Sequence, residues 1–190
     1  MQKAVALAIV ITFAVIASAV TFTYFSVGKM ASQEGDNSIS EGIPATGYVV
    51  VSVFRAGEEI YHYEDSNLIT NAGLDFISAQ IGSTSTGTNG ANYIALSSDA
   101  TAPAVTDTTL TGEISGNGLD RAQGTYAHTV GTNTFTVQEV FTATGTVSAI
   151  QKTGLFTASS GGTMMAENTF SSVNLISGDQ LTVTWTITIG

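Results

Sequence analysis

The sequence predicts an all-β protein: an antiparallel β-sandwich, Greek-key or jelly-roll-like, with one short helix, preceded by an N-terminal hydrophobic helix. Three observations predict this class. The 190 residues are rich in Thr, Ser, Gly and Val but include only five Lys and Arg, a composition that favours strands over helix surfaces. Short β-branched segments recur with turn residues between them. The last segment, residues 180–189, alternates apolar residues with threonine, as a strand with one buried face does.

The predicted strands follow one another at short intervals along the chain. The first, Tyr48–Phe54, has apolar residues at both parities and is therefore predicted to be covered on both faces. Its predicted hairpin partner is Ile60–Tyr63, and the later strands are predicted at Tyr93–Leu96, Gln123–Val130, Thr134–Thr142, Val147–Thr157, Met164–Phe170 and Gln180–Ile189. This spacing is typical of a sandwich or barrel.

One helix is predicted between the first hairpin and the next strand. Asn67 or Thr70 can cap its N-terminus, and Gly82 ends it. Leu74, Ile77 and Ile81 recur at helical spacing, with Phe76 beside them, which favours a helix.

The N-terminal segment Ala4–Val27 has 24 residues without a charge, and a helix needs roughly 20 apolar residues to cross a bilayer. Three interpretations stay open: a retained transmembrane anchor, a signal peptide cleaved after Ala17-Ser18-Ala19, or the filament-core helix of a pilin-like subunit. All three place the rest of the chain outside the cytoplasm. We therefore expect a protein at the cell surface or outside the cell, anchored in the membrane or assembled into an appendage.

The domain organisation follows from this segment. Residues 1–30 are the predicted transmembrane, signal or filament-core helix, and residues 31–45 are a flexible acidic linker that is small, polar and contains Gly and Pro. Residues 46–190 are the predicted extracytoplasmic β-sandwich domain.

From about Asn67 to Ile189 the order and spacing of several short stretches resemble a β-domain of phage tail-fibre and other virion-surface proteins, also encoded in prophages. The matching stretches are 67–74, 92–96, 101–103, 107–110 with Glu113, 121–122, 154–156, 159–163 and 177–185. The resemblance implies an architectural or adhesive module without catalytic residues. The N-terminal hydrophobic segment departs from the pattern of a soluble fibre. A cellular surface protein or an exported appendage subunit with the same module fits the whole chain better.

The composition and motifs argue against several classes of function. A formal charge of −10 and scattered basic residues leave no basic surface for nucleic acid. The chain has no cysteine and no G-x-S-x-G, H-E-x-x-H or P-loop motif. His62 and His128 lie in strand-like segments, which favours structural roles. We therefore expect no enzyme, no catalytic residue and no bound cofactor.

Four acidic residues fall in one long loop region: Asp99, Asp107, Glu113 and Asp120. Loops of this kind can supply oxygen ligands to calcium, but no D-x-[DN]-x-[DN]-G pattern is present. Asp99 and Asp107 can instead form Asx-turns. We therefore expect no metal site. These four carboxylates are the candidate ligands if the loop binds calcium.

The sequence thus predicts a non-enzymatic, surface-exposed structural or adhesion module on a membrane anchor, which mediates recognition or attachment. Its predicted partners are the membrane or neighbouring subunits through Ala4–Val27, and a surface glycan or protein receptor; a homo-oligomer is expected and nucleic acid is not. The alternative is a pilin-like extracellular filament subunit, in which the N-terminal helix or a donated strand drives assembly.

Overall fold

The structure is a computed structural model that describes residues 45–82 and 90–190. These residues form ten strands and one helix. The strands are β1 (Ala45–Arg55), β2 (Glu58–Ser66), β3 (Leu68–Ile69), β4 (Tyr93–Ser97), β5 (Ala122–Gln123), β6 (Thr125–His128), β7 (Thr134–Thr142), β8 (Val147–Phe156), β9 (Met164–Leu175) and β10 (Gln180–Ile189). The helix α1 (Asn71–Gly82) lies between β3 and β4.

The strands form two five-stranded sheets with antiparallel pairing throughout. Sheet I has the order β2-β1-β10-β7-β6, and sheet II has the order β3-β9-β8-β4-β5. In sheet I, Trp185 of the central strand β10 lies opposite Val49 on one side and Val137 on the other. The predicted fold is confirmed at this level: mostly antiparallel β-structure in two sheets, with one short helix.

The predicted N-terminal helix and most of the predicted linker lie outside the described residues. Ala45, the last residue of that linker, is the first residue of β1. Within residues 45–82 and 90–190, no helix is long and apolar enough to cross a membrane.

The main core lies between the two sheets. Leu181, Val183, Trp185 and Ile187 of β10 are completely buried, while the threonines between them are partly exposed, so the predicted alternation is confirmed. The prediction for β1 is wrong in part. Its inward-facing valines are buried, but Tyr48 on the other face is 38% exposed, because no further layer of the described residues covers that face there.

Sheet II has a second, smaller apolar layer on its outer face. Residues 98–121 cross that face and are held beside β4 by backbone hydrogen bonds from Ser98 to Gly112 and from Ile114 to Leu96. Leu110 of this crossing segment packs with Ala95, Phe156 and Met164. The strands of sheet II beneath the crossing segment are therefore buried on both faces.

Helix α1 starts at the predicted cap. The hydroxyl oxygen of Thr70 accepts a hydrogen bond from the backbone N–H of Gly73 at 3.0 Å, which satisfies one of the free donors of the first turn. The apolar residues of the helix differ in burial. Ile77 packs against the core together with Phe76, but Leu74 is 44% and Ile81 72% exposed.

The predicted strand Gln123–Val130 is divided between the two sheets. Its first part, β5, pairs with β4 in sheet II, and its second part, β6, pairs with β7 in sheet I. Gly124 stands between them, where a Cβ would lie 2.8 Å from the carbonyl oxygen of Gln138. The absence of a side chain therefore lets the chain pass from one sheet to the other at this point.

Candidate functional site

The first candidate site is an open apolar cavity of about 520 Å³ between α1 and the end of sheet I. This volume is in the range of ligand-binding pockets. The cavity is lined by Phe76, Ile77, Gln80, Ile81, Gly90, Ala91, Asn92, Tyr126, Phe135, Met165 and Ile189. The strands β6, β7 and β10 supply three of these side chains and α1 supplies four.

The chemistry of this lining is suited to binding. No carboxylate, imidazole, ammonium or guanidinium group is among its described lining residues. Gln80 and Asn92 add two amides to the apolar wall, and such groups orient a bound segment through hydrogen bonds. The cavity can thus receive uncharged, apolar groups.

Within the part of the chain that the structure describes, an unpaired strand edge lies beside the cavity. Strand β6 is the last strand of sheet I, and all four of its residues are exposed. Tyr126 of β6 lines the cavity and packs on Phe135, with ring centroids 5.6 Å apart. The edge of β6 therefore presents backbone donors and acceptors next to the apolar wall, as in sites that accept an added strand.

The opposite edge of sheet I differs in charge. Strand β2 carries four acidic residues, Glu58, Glu59, Glu64 and Asp65. Charged side chains on an edge strand oppose pairing with another chain. Strand β6, Thr-Tyr-Ala-His, carries no acidic residue or lysine. Of the two edges of sheet I, only β6 lacks this protection.

The second candidate site is a buried cluster of charged residues on the outer face of sheet II, which we call the Lys152 cluster: Asp99, Asp107, Lys152 and Glu167. The Nζ atom of Lys152 lies 2.7 Å from Oδ2 of Asp99 and 3.8 Å from Oε2 of Glu167. The side chains of Lys152 and Glu167 are only 3% and 1% exposed, and that of Asp99 is 18% exposed.

The carboxyl groups of Glu167 and Asp107 influence each other's protonation. The side chains of Glu167 and Asp107 are hydrogen-bonded to each other, and both accept from the backbone N–H of Ala104. Burial, and then the hydrogen bond to Asp107, raise the pKa of Glu167 to about 7. The same hydrogen bond lowers the pKa of Asp107. Glu167 is therefore the protonated member of the pair in mildly acidic solution.

The predicted calcium ligands are only partly brought together. Asp99 and Asp107 belong to the Lys152 cluster, whereas Glu113 forms a bidentate pair with Arg121. The carboxylate of Asp120 accepts a hydrogen bond from the backbone N–H of Gly116 at 2.9 Å. Among the described residues, no group of three or more Asp, Glu, His or Cys side chains is arranged to hold a metal ion.

His62 lies close to a serine and to two carboxylates, but not in the order of a catalytic relay. Its Nδ1 atom is 3.1 Å from Oγ of Ser52 and 2.9 Å from Oε1 of Glu59. A serine–histidine–acid relay places serine and acid at opposite ring nitrogens. On the opposite side, Nε2 is 3.8 Å from Glu64, beyond hydrogen-bonding distance. The hydrogen bond to Glu59 raises the pKa of His62.

The sequence predictions missed Lys152 and Glu167. A signal for them was present, since Lys152 is the only charged residue of β8 and Glu167 the only charged residue of β9. A charged side chain in an otherwise uncharged strand is rarely buried without a partner. The partners were hidden because Lys152 and Asp99 lie 53 positions apart in the chain.

Comparison with known proteins adds no assignment to this geometry. The chain matches no family model, no curated protein and no solved structure.

Proposed function

We propose that the chain is a non-enzymatic structural and attachment module, displayed at the cell surface on its N-terminal anchor. The observation that carries this proposal is the uncharged lining of the large cavity. A cavity of this size, with no acid–base group among its described lining residues, favours recognition over chemistry. The resemblance of residues 67–189 to virion-surface β-domains fits the same role.

The proposed ligand is an extended, uncharged segment of a partner protein. Such a segment would pair with the backbone of β6 and place an apolar side chain in the cavity beside Tyr126. The chain's formal charge is −10, yet the cavity lining is neutral. An apolar segment therefore suits the cavity better than a basic one. Binding of a surface glycan in place of such a segment would show that this ligand class is wrong.

The fold within this proposal is Greek-key or jelly-roll-like. Strands β7 and β10 are neighbours in sheet I, and the intervening strands β8 and β9 are neighbours in sheet II. This connection resembles a Greek key folded over two sheets.

The second candidate function is a pilin-like filament subunit, in which the segment added to β6 comes from another copy of the chain. The difference between the two edges of sheet I favours it. An acidic β2 and an unprotected β6 would restrict strand addition to one edge, which is what ordered growth in one direction requires.

Both functions are tested by single-cysteine crosslinking, because the natural chain has no cysteine. Full-length Thr125→Cys, on the edge of β6, is treated on intact expressing cells with a membrane-impermeant crosslinker that joins a thiol to nearby amines. Thr144→Cys is the matched control, since Thr144 is exposed and follows β7 at the opposite end of sheet I.

A crosslinked adduct formed at Thr125→Cys and not at Thr144→Cys is the expected result. An adduct with another protein supports attachment, and an adduct of two or more copies supports the filament. Protection of both cysteines from the reagent would refute surface display. Labelling without any adduct, together with binding of the chain to immobilised glycans, would refute the proposed protein ligand.

A further inference from the structure

The Lys152 cluster holds a primary amine against a carboxyl group in a nearly dry site. Lys152 is the only lysine among the described residues. Its Nζ atom lies 2.7 Å from Asp99, under the crossing segment 98–121. The Oε2 atom of Glu167 lies 3.8 Å from the same Nζ atom. We propose that Lys152 and Asp99 condense within the folded chain to form an intramolecular amide cross-link, assisted by Glu167.

The reaction is a dehydration. The uncharged Nζ of Lys152 attacks Cγ of the protonated Asp99 side chain, a C–N bond forms, a C–O bond breaks and one water molecule leaves. No oxidant, reductant or other reactant is required. The positive charge of Lys152 and the negative charge of Asp99 disappear together, so the total charge of the cluster is unchanged.

The reactants begin as an ion pair, because the ammonium group of Lys152 lowers the pKa of Asp99. A proton must therefore pass from Nζ to the carboxylate before attack. Burial favours this transfer, since an ion pair loses much of its hydration when it is enclosed, whereas an amine and an acid lose far less. The amine and the carboxyl are also held together by the fold, which gives an intramolecular reaction a high effective concentration.

Glu167 is placed to carry the proton. Its side chain is 1% exposed, and its hydrogen bond to Asp107 supports the raised pKa of about 7. At neutral pH it therefore exchanges protons readily with neighbouring groups. Glu167 acts through Lys152 and Asp99 and forms no covalent bond itself.

The two ion pairs that arginine forms among the described residues cannot react in this way. Asp179 and Glu113 both pair with arginine, Asp179 with Arg55 and Glu113 with Arg121, and a guanidinium group stays protonated and is a poor nucleophile. The proposed link joins the segment after β4 to β8 and fastens the crossing segment to sheet II. This cross-link does not depend on which ligand β6 binds.

The test is the mass of the purified full-length chain after unfolding, followed by digestion with trypsin. A linear chain yields separate peptides 56–121, 122–152 and 153–190, as its basic residues dictate. The cross-linked chain instead yields one branched species, in which 56–121 is joined to an uncut 122–190, lighter by one water than the sum of those two peptides. Fragmentation should place the bond between Asp99 and Lys152.

Three variants separate a reaction from a structural ion pair. Lys152→Arg keeps the positive charge and should yield only linear peptides. Asp99→Asn should still cross-link but lose ammonia in place of water. Glu167→Gln should cross-link at least tenfold more slowly. Glu113→Gln, outside the cluster, is the control and should cross-link as the natural chain does.

Separate peptides from the folded natural chain would overturn the proposal, whatever the variants show. A loss of water that maps to a single peptide, without a joined species, would overturn it as well. Both results are independent of the crosslinking at β6, so the failure of one proposal does not affect the other.

Discussion

Replacement of Glu167 by glutamine should remove a large pH dependence of stability. The carboxyl group of Glu167 is 1% exposed and its pKa is raised from 4.5 to about 7. Between these values the folded chain keeps a proton that the unfolded chain has lost. The free energy of unfolding should therefore fall as the pH rises from about 4.5 to about 7, and change little above that. At about 1.36 kcal/mol for each pKa unit, the fall is about 3 kcal/mol.

The neighbouring charged groups act in other pH ranges or cancel in the comparison. Asp99 and Asp107 have lowered pKa values, so their contributions are present above the usual pKa and are lost only in stronger acid. His62 has a raised pKa, and its contribution is lost as the pH rises above about 6.5. Both chains should therefore carry His62→Gln. Burial also raises the pKa of Glu139, equally in both chains.

The assay is equilibrium unfolding of the full-length chain by urea in detergent, at a series of pH values from 4 to 8. Trp185 is the only tryptophan and is completely buried, so its fluorescence reports the core directly. Glutamine can still donate a hydrogen bond to Asp107 and keeps nearly the same volume. Both chains should also carry Lys152→Arg, which keeps the positive charge and cannot form the cross-link, so that the two slopes are compared in the same covalent state. An unchanged slope in Glu167→Gln would refute the reasoning.

Three further substitutions test the packing of the fold. Each is measured by urea unfolding at fixed pH. Gly118→Ala should destabilise by about 3 kcal/mol or more, because φ is +76° and the new Cβ would collide with the carbonyl oxygen of Thr142. Leu155→Ala should cost about 2–5 kcal/mol, because Leu155 is completely buried in the main core. Thr70→Val should cost about 1–2 kcal/mol, because it removes the cap at Gly73 and a buried hydrogen bond to β9.

Each of these has a matched control. Gly116→Ala introduces a similar backbone strain, since φ is +81°, but its Cβ meets no atom within 4 Å. Equal losses of unfolding free energy at positions 116 and 118 would disprove the collision. Val140→Ala removes a side chain that is 44% exposed and should change stability by less than about 1 kcal/mol. Thr70→Ser keeps the hydroxyl and loses only the methyl group, so it should retain most of the cap; a loss as large as that of Thr70→Val would show that the hydroxyl contributes no more than the methyl group.

Local features of the sequence were sufficient for much of the fold. The alternation of Leu181, Val183 and Trp185 with threonine predicted the central strand of sheet I, because side chains in a strand point alternately to opposite faces. The cap at Thr70 was predictable for a similar reason, since a short hydroxyl side chain can reach a free N–H of the first turn. Both features depend on residues a few positions apart.

The sites could not be predicted in this way. The Lys152 cluster joins three separate segments, and the pairing that brings them together is set by the register of β8 between β4 and β9. The division of residues 122–128 at Gly124 depends on how closely the chain passes Gln138. Likewise, which face of α1 is buried depends on where β9 and the end of sheet I lie.

The sequence alone therefore determined the class of fold, the positions of most of its strands along the chain and the place of its helix, since periodicity and turn residues act over short distances along the chain. Only the tertiary structure decided that β6 is an open edge beside an apolar cavity. It alone also placed Lys152, Asp99 and Glu167 together out of water. The physical reason is that burial and ion pairing depend on distances between segments remote in sequence, which are set when the two sheets and the crossing segment pack.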